Sequence, residues 1–92
     1  MRVEVSAQVR DFLKALAPEP KHTLSSAIKQ LPKGRGNIKA LQGEFAGYWR
    51  LRVKGYRVVF RYDHDVIRCD YIEKRSIIYE MLAMELKKLE DL

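Results

Sequence analysis

In the first third of the chain, the spacing of the hydrophobic residues changes from the alternation of a strand to the period of a helix. In "MRVEVS", Val3 and Val5 alternate with polar residues, which is typical of a short β-strand. Ser6 is a suitable N-cap, and the apolar residues after it recur at i, i+3, i+4 and i+7, the spacing of one buried helical stripe. Those residues are Val9, Phe12, Leu13 and Leu16. "APEP" interrupts the pattern, and a second helix is predicted over about residues 20–31.

The middle of the chain combines a glycine-rich segment with strand patterns. Residues 32–47 hold four glycines and few periodic apolar residues, so they are expected to form a surface loop. Three strands are predicted after it, in "YWRLRV", "YRVVFRY" and "VIRCDYIEKR". A two-residue Lys54-Gly55 turn joins the first two strands, with Gly55 able to adopt a positive φ. A tight turn at His64-Asp65 joins the last two.

The C-terminal segment has the pattern of an amphipathic helix. In "SIIYEMLAMELKKLEDL", Ile78, Leu82, Leu86 and Leu89 fall on one side. The predicted order is therefore β-α-α-β-β-β-α within a single domain, residues 1–92. Tight connections between successive strands indicate an α+β fold, with the N-terminal helical pair and the C-terminal helix packed on one face of a curled antiparallel sheet.

The hairpin fixes which side chains share a sheet face. A two-residue turn pairs Val53 with Tyr56 and Arg52 with Arg57, and side chains then alternate along each strand. The face toward the helices is expected to carry the apolar residues Trp49, Leu51, Val53, Tyr56, Val58, Phe60, Ile67, Cys69 and Tyr71. The opposite face is expected to carry Tyr48, Arg50, Arg52, Arg57, Arg61, Arg68 and Asp70. We expect this second face to be an open, concave arginine surface.

The charge distribution along the chain bears on what the arginine face could bind. The formal net charge is +6, and residues 21–62 hold ten basic residues against one acidic residue, Glu44. The solvated face of an antiparallel sheet is ordinarily polar, which is the simplest explanation for the arginines. However, Arg52 and Arg57 face each other directly, and such a like-charge pair costs about 0.2–1 kcal/mol. Because guanidinium groups suit phosphate, the pattern favours the binding of a polyanion.

Other kinds of chemistry find little support in the sequence. Cys69 is the single cysteine, which excludes an intramolecular disulfide and a thiolate zinc cluster, and it is expected to be a small buried hydrophobic residue. His22 and His64 are far apart, without carboxylates at ligand spacing, so no metal is expected. No apolar run resembles a signal peptide or a membrane span. The predicted location is a reducing cytoplasm, without a membrane partner.

A long segment resembles the RelE/ParE superfamily of prokaryotic toxins from type II toxin-antitoxin systems. It is "ALQGEFAGYWRLRVKGYRVVFRYDHDVIRCDYIEKRSIIY", with "LxG", "YWRLRVKGYRVVF" and the "KRxxxY" after the last strand as its most specific parts. The resemblance implies a small fold similar to that of microbial ribonucleases. It also implies cleavage of messenger RNA in the ribosomal A site without a cofactor, and neutralisation by a cognate antitoxin protein.

The resemblance implies five catalytic positions. By motif position they are Arg50, Arg52, Arg57, Arg75 and Tyr79. Arg57 is expected on the scissile phosphate and Arg75 on the leaving-group side. Further RNA-phosphate contacts are expected from the basic residues Arg61, Lys54, Arg68, Lys39 and Arg35. RelE has lysines where this chain has Arg50 and Arg52. Because arginine stays protonated, Tyr79 is the best candidate either for the general base or for a side chain that stacks on a nucleobase, and Lys54 is a weaker candidate.

Three functions are compatible with this reasoning. The leading prediction is a ribosome-dependent mRNA endoribonuclease toxin, whose partners are the antitoxin, the ribosome and mRNA. A ParE-like inhibitor of DNA gyrase shares the fold, but ParE-like members generally lack the complete set of five residues. A non-catalytic RNA-binding module would need the charge but not Tyr79.

Overall fold

The computed structural model describes residues 1–91 and contains a five-stranded sheet with three α-helices. The strands are β1 (Arg2–Val5), β2 (Asn37–Ala40), β3 (Trp49–Val53), β4 (Tyr56–Asp63) and β5 (Val66–Lys74). The helices are α1 (Ala7–Ala15), α2 (Pro18–Lys29) and α3 (Ile78–Glu90). The sheet order is β1-β5-β4-β3-β2, in which β1 runs parallel to β5 and the other neighbours are antiparallel. The predicted α+β class is confirmed, but the sheet is mixed and not antiparallel throughout.

Strand β2 lies within the segment that was expected to be a loop. Asn37 to Ala40 pair with Arg52 to Trp49 of β3, at the edge of the sheet. The strand is four residues long and lies between two short 3-10 turns, Leu31–Lys33 and Gly43–Phe45. Only Ile38 is half-buried and packs against the core. A strand with a single inward side chain has no alternation to detect, which explains why the sequence pattern missed it.

The main core lies between the sheet and helices α1 and α2. Ser6 caps α1 as predicted, because its Oγ accepts a hydrogen bond from the Val9 amide at 3.2 Å and donates one to the Asp70 carbonyl at 2.7 Å. Helix α2 begins at Pro18, two residues before its predicted start, because proline suits the first turn of a helix. The fully buried residues here include Val9, Leu24, Leu31, Leu51, Val58, Phe60, Ile67, Cys69 and Ile72.

A second core forms on the opposite face, where α3 packs. Ile78 and Leu82 of α3 are fully buried against Val59 of β4, and Leu41, Phe45, Tyr48 and Tyr71 surround them. The expectation that all helices share one face, with the arginine face left open, is therefore wrong. Val59 lies between Arg57 and Arg61 on β4 and provides the apolar contact that holds α3 there.

A β-bulge changes the face of the residues in the second half of β5. Val59 pairs with Tyr71 and Phe60 with Cys69, so Asp70 is an extra residue on β5. Ile67 and Cys69 face the main core as predicted, but Tyr71 packs in the second core and Ile72 takes its place in the main one. The prediction for Tyr71 was wrong because an unbroken alternation cannot anticipate the inserted residue.

The β3–β4 hairpin has the predicted register. Val53 pairs with Tyr56 and Arg52 with Arg57, and the two-residue turn lies between them. The positive φ of the turn falls on Lys54, at 52°, and not on Gly55 as expected. The His64-Asp65 turn between β4 and β5 also forms, with a φ of 56° at His64. None of the helices within residues 1–91 has the length and apolar content needed to span a bilayer.

Candidate phosphate-binding pocket

A cavity of about 610 Å³ lies beside α3 on the arginine face of the sheet. Strands β3 and β4 form its floor, the end of β2 with the following residues forms one wall, and the β5–α3 connection forms the other. It is lined by Lys39, Ala40, Leu41, Gln42, Arg50, Arg52, Arg57, Arg75, Ser76 and Tyr79. We call this cavity the arginine pocket. Five of its side chains are cationic, and no carboxylate of residues 1–91 lines it.

Arg57 is the most buried cation of the arginine pocket. Only 8% of its surface is exposed, and its Nη1 donates to the carbonyls of Lys54 and Tyr56, both at 2.9 Å. Burial lowers the pKa of Arg57, and repulsion from Arg52 and Arg50 lowers it further, while Tyr79 acts in the opposite direction. Arg57 is thus a positive charge held in place without a carboxylate partner among residues 1–91, and an anion in the pocket would stabilise it.

Arg50 is oriented by a residue that the sequence analysis did not identify. Its Nη1 donates to both the backbone carbonyl and the side-chain Oδ1 of Asn37, each at 3.0 Å. Asn37 begins β2 and pairs with Arg52 in the sheet, so it lies diagonally across from Arg50. The contact between Asn37 and Arg50 could be expected only if strand β2 had been predicted beside β3. The two bonds occupy one guanidinium nitrogen and leave the others for a ligand.

Tyr79 lies at the rim of the pocket, in the first turn of α3. It is 37% exposed, and its ring stacks on Phe45 with centroids 6.1 Å apart and planes inclined by 29°. Phe45 itself packs in the second core and belongs to the Gly43–Phe45 turn. The phenol is therefore supported on one side and accessible on the other. Phe45 was also missed as a supporting residue, because its contact with Tyr79 joins two distant segments.

The arginine pocket brings together all five predicted catalytic residues, but only one of the five predicted phosphate contacts, Lys39. Arg61 donates to Asp70 at 2.8 Å, and this bond raises the pKa of Arg61. Arg68 donates to Asp63 and Glu4, each at 2.6 Å. The remaining two lie elsewhere: Lys54 is in the hairpin turn, and Arg35 approaches Gln30 Oε1 at 3.5 Å.

The pocket arginines keep their charge available, unlike Arg61 and Arg68. Within residues 1–91, none of Arg50, Arg52, Arg57 and Arg75 forms an ion pair with a carboxylate. Cys69 is remote from this chemistry, because it is buried in the main core and desolvation raises its thiol pKa to about 12. In the same part of the chain, no three His, Cys, Asp or Glu side chains are grouped to hold a metal ion.

These features define a small α+β domain with a pocket lined by five cationic side chains on one sheet face. In three dimensions it is similar to a chain of the RelBE2 toxin-antitoxin complex of Mycobacterium tuberculosis, with a TM-score of 0.68 and 23% identity over 80% of this chain and 90% of that one. The RelB-RelE complex of Methanococcus jannaschii gives a TM-score of 0.67 and 20% identity over 84% and 95%. YafQ of E. coli gives a TM-score of 0.61 and 15% identity, over 84% of this chain and 96% of the YafQ chain.

The fold of the chain is thus that of RelE-type toxins, and the resemblance seen in the sequence is confirmed at the level of the fold. No protein-family model matches the chain, and no curated protein matches it significantly in sequence.

Proposed function

We propose that the protein is the toxin of a type II toxin-antitoxin system and acts in the cytoplasm as a ribosome-dependent mRNA endoribonuclease. The observation that carries this proposal is the arginine pocket, where four arginines without an ion-pair partner in residues 1–91 and a lysine meet an accessible tyrosine. A site lined by five cations, with no carboxylate from the described part of the chain beside them, suits a phosphodiester far better than a neutral or cationic ligand. The similarity to RelE-type toxin structures supports the same function.

The proposed reaction uses the ribose 2′-hydroxyl as the nucleophile. Its oxygen forms a bond to phosphorus while the bond from phosphorus to the 5′-oxygen breaks, which leaves a 2′,3′-cyclic phosphate and a 5′-hydroxyl. One proton leaves the 2′-oxygen and one reaches the 5′-oxygen. Arg57 and its neighbours Arg50 and Arg52 stabilise the negative charge that develops on the phosphoryl oxygens, and Arg75 contacts the leaving-group side.

The proton transfers fall to the other two titratable side chains of the pocket. A guanidinium stays protonated in proteins, so the arginines bind the phosphate but do not accept the proton of the ribose 2′-hydroxyl. Tyr79 is the proposed proton acceptor, and Lys39, which lies opposite Arg50 in the β2–β3 pairing, is the second candidate. Lys54, the earlier second choice, does not line the pocket. With so few proton carriers we expect slow cleavage of free RNA, and we propose that the ribosome orders the substrate.

The proposed antitoxin neutralises the same surface. Two of the similar structures are toxin-antitoxin complexes, from Mycobacterium tuberculosis and Methanococcus jannaschii. A partner with an acidic segment would place carboxylates against the five cations of the arginine pocket, and it would exclude RNA at the same time. Co-expression with this partner should restore the growth of cells that produce the protein.

The decisive experiment maps mRNA 5′ ends after induction of the protein in growing cells. We expect new ends at codon-phased positions within translated messages, and we expect them to disappear in Arg57→Ala and in Tyr79→Ala. Growth arrest that survives both substitutions without new mRNA ends would support gyrase inhibition instead. Arrest that requires Arg57 but not Tyr79, again without cleavage, would support a non-catalytic RNA-binding protein.

A further inference from the structure

A second groove continues from the arginine pocket around the end of the β3–β4 hairpin. It encloses about 310 Å³ and is lined by Gly55, Tyr56, Lys74, Arg75 and Ser76. Arg75 and Ser76 also line the arginine pocket, so the two cavities meet at these residues. We call this second cavity the hairpin groove. A chain molecule bound in the arginine pocket can therefore extend into it without leaving the surface.

The hairpin groove is cationic and lacks a carboxylate among residues 1–91. Lys74 ends β5 and is exposed, and it pairs with Tyr56 across the sheet. The adjacent Glu73 accepts a hydrogen bond from the Lys74 backbone amide at 3.1 Å, but within residues 1–91 the Lys74 ammonium has no ion-pair partner. Its charge is thus available to an external anion, as are the charges of the pocket arginines.

Main-chain contacts hold this groove in a defined shape. The Arg75 amide donates to the Gly55 carbonyl at 2.8 Å, which ties the end of β5 to the hairpin turn. The Ile77 amide donates to the Lys74 carbonyl at 2.9 Å, which closes the turn before α3. On the other side, the Tyr56 ring stands edge-on to Phe12, with centroids 5.9 Å apart and planes at 80°. Lys74 therefore extends from a fixed backbone beside a fixed aromatic ring.

We propose that the hairpin groove binds the phosphate of a nucleotide that flanks the cleaved bond in single-stranded RNA, with Lys74 as its main contact. The inference rests on the proposed function, because the continuity through Arg75 matters only if a polynucleotide occupies the arginine pocket. A single phosphate-bearing metabolite would fill one cavity and would not require the second. The groove extends the binding site beyond the reacting nucleotide and makes affinity depend on RNA length.

The test measures the affinity of uncleavable 2′-O-methyl RNA by fluorescence anisotropy over a range of salt concentrations. A nine-nucleotide RNA is compared with a dinucleotide, which holds only the phosphate of the bond to be cleaved, on the wild type, Lys74→Ala, Arg57→Ala and a control, Lys29→Ala. Lys29 is an exposed lysine at the far end of α2, so its removal changes the net charge equally. We expect Lys74→Ala to weaken the nine-mer about fivefold and to reduce its salt slope by about 0.7, the value for one phosphate contact.

The same substitution should leave the dinucleotide bound as in the wild type, whereas Arg57→Ala should weaken both RNAs. If Lys74→Ala and Lys29→Ala weaken binding of the nine-mer equally, the proposal for the hairpin groove is wrong. The same holds if Lys74→Ala reduces the affinity for both RNA lengths equally. Neither result would contradict binding of RNA in the arginine pocket. If Arg57→Ala binds both RNAs as tightly as the wild type, the RNA does not occupy the arginine pocket, and the proposed function fails with it.

Discussion

Two groups of arginines share one face of this sheet but have opposite surroundings. Arg61 and Arg68 are bonded to three carboxylates, those of Asp70, Asp63 and Glu4. The pocket arginines Arg50, Arg52, Arg57 and Arg75 have none within residues 1–91. The arginine residues are chemically identical, so the difference lies in where the acids are placed. Paired arginines join strands, and unpaired arginines keep their donors for a ligand at a cost in stability.

The topology explains how the acids reach one group only. The parallel pairing of β1 with β5 puts Glu4 opposite Arg68, and Asp70 of β5 accepts a hydrogen bond from Arg61 of the neighbouring strand β4. At the other end of the sheet, Arg57 faces Arg52 on one side and Glu73 on the other, but Glu73 forms no ion pair with it. The hairpin end therefore retains the net positive charge, and it is the end at which α3 leaves the sheet accessible.

The largest expected effect separates the two groups by cleavage rate. Arg57→Ala removes the buried cation that stabilises the developing charge in the proposed reaction, so we expect kcat on ribosome-bound mRNA to fall about 100- to 1000-fold. Arg61→Ala removes an arginine that is already neutralised, and we expect less than about a threefold change. Single-turnover cleavage assays on programmed ribosomes give both values. Equal losses in the two variants would remove the distinction between paired and unpaired arginines.

A smaller effect is expected from the residue that orients Arg50. Asn37→Ala removes the side-chain half of a double contact, and we expect about a fivefold loss in kcat, within the range for a single hydrogen bond to a charged group. Asn37 is a positioning residue, so the loss should disappear when Arg50 is already absent. A double-mutant cycle with Arg50→Ala measures this, and additive losses would contradict the role.

Stability should change in opposite directions in the two groups. Arg52→Gln relieves the repulsion with Arg57, and we expect the free energy of unfolding to rise by about 0.5 kcal/mol. Arg68→Gln leaves Asp63 and Glu4 without their shared cation, so its unfolding midpoint should fall. Urea titrations of both variants check the signs. A stabilised Arg68→Gln variant would show that its ion pairs do not hold the strands together.

The smallest expected effect concerns the stability of the protein at low pH. Hydrogen bonds from Arg68 and His64 lower the pKa of Asp63 below its ordinary value. A carboxyl whose folded pKa is lowered contributes stability above its unfolded pKa, and that contribution is lost as the pH falls through the folded value. We therefore expect wild-type stability to decline below about pH 4, and Asp63→Asn to decline less. Melting temperatures measured between pH 7 and pH 3 test this, and parallel curves would contradict it.

The sequence predicted the local part of this structure well. A two-residue turn determines a hairpin register, so the facing of Arg52 and Arg57 could be derived from residues 49–60 alone. The Ser6 cap was equally local. Ile67 and Cys69 also took their predicted face, because the alternation holds up to the bulge.

What the sequence did not predict depends on contacts between distant segments. The bulge at Asp70, the pairing of β2 with β3 and the packing of α3 on Val59 leave no periodic signal in the segments that form them. The alternation placed Asp70 on the arginine face, where it could counter part of the charge. The specific ion pairs of Arg61 and Arg68 were not predicted, and the two residues were grouped with the phosphate contacts. The resemblance to RelE supplied Arg75 and Tyr79, which no periodicity would have joined to the hairpin.

The most direct test of the account observes the arginine side chains themselves. Nε–Hε resonances of the protein are recorded by NMR while uncleavable 2′-O-methyl RNA is added. We predict that the signals of Arg50, Arg52, Arg57 and Arg75 shift with a common dissociation constant, while those of Arg61 and Arg68 stay in place. Shifts confined to Arg61 and Arg68, with the pocket arginines unchanged, would contradict the claim that the unpaired arginines form the RNA site.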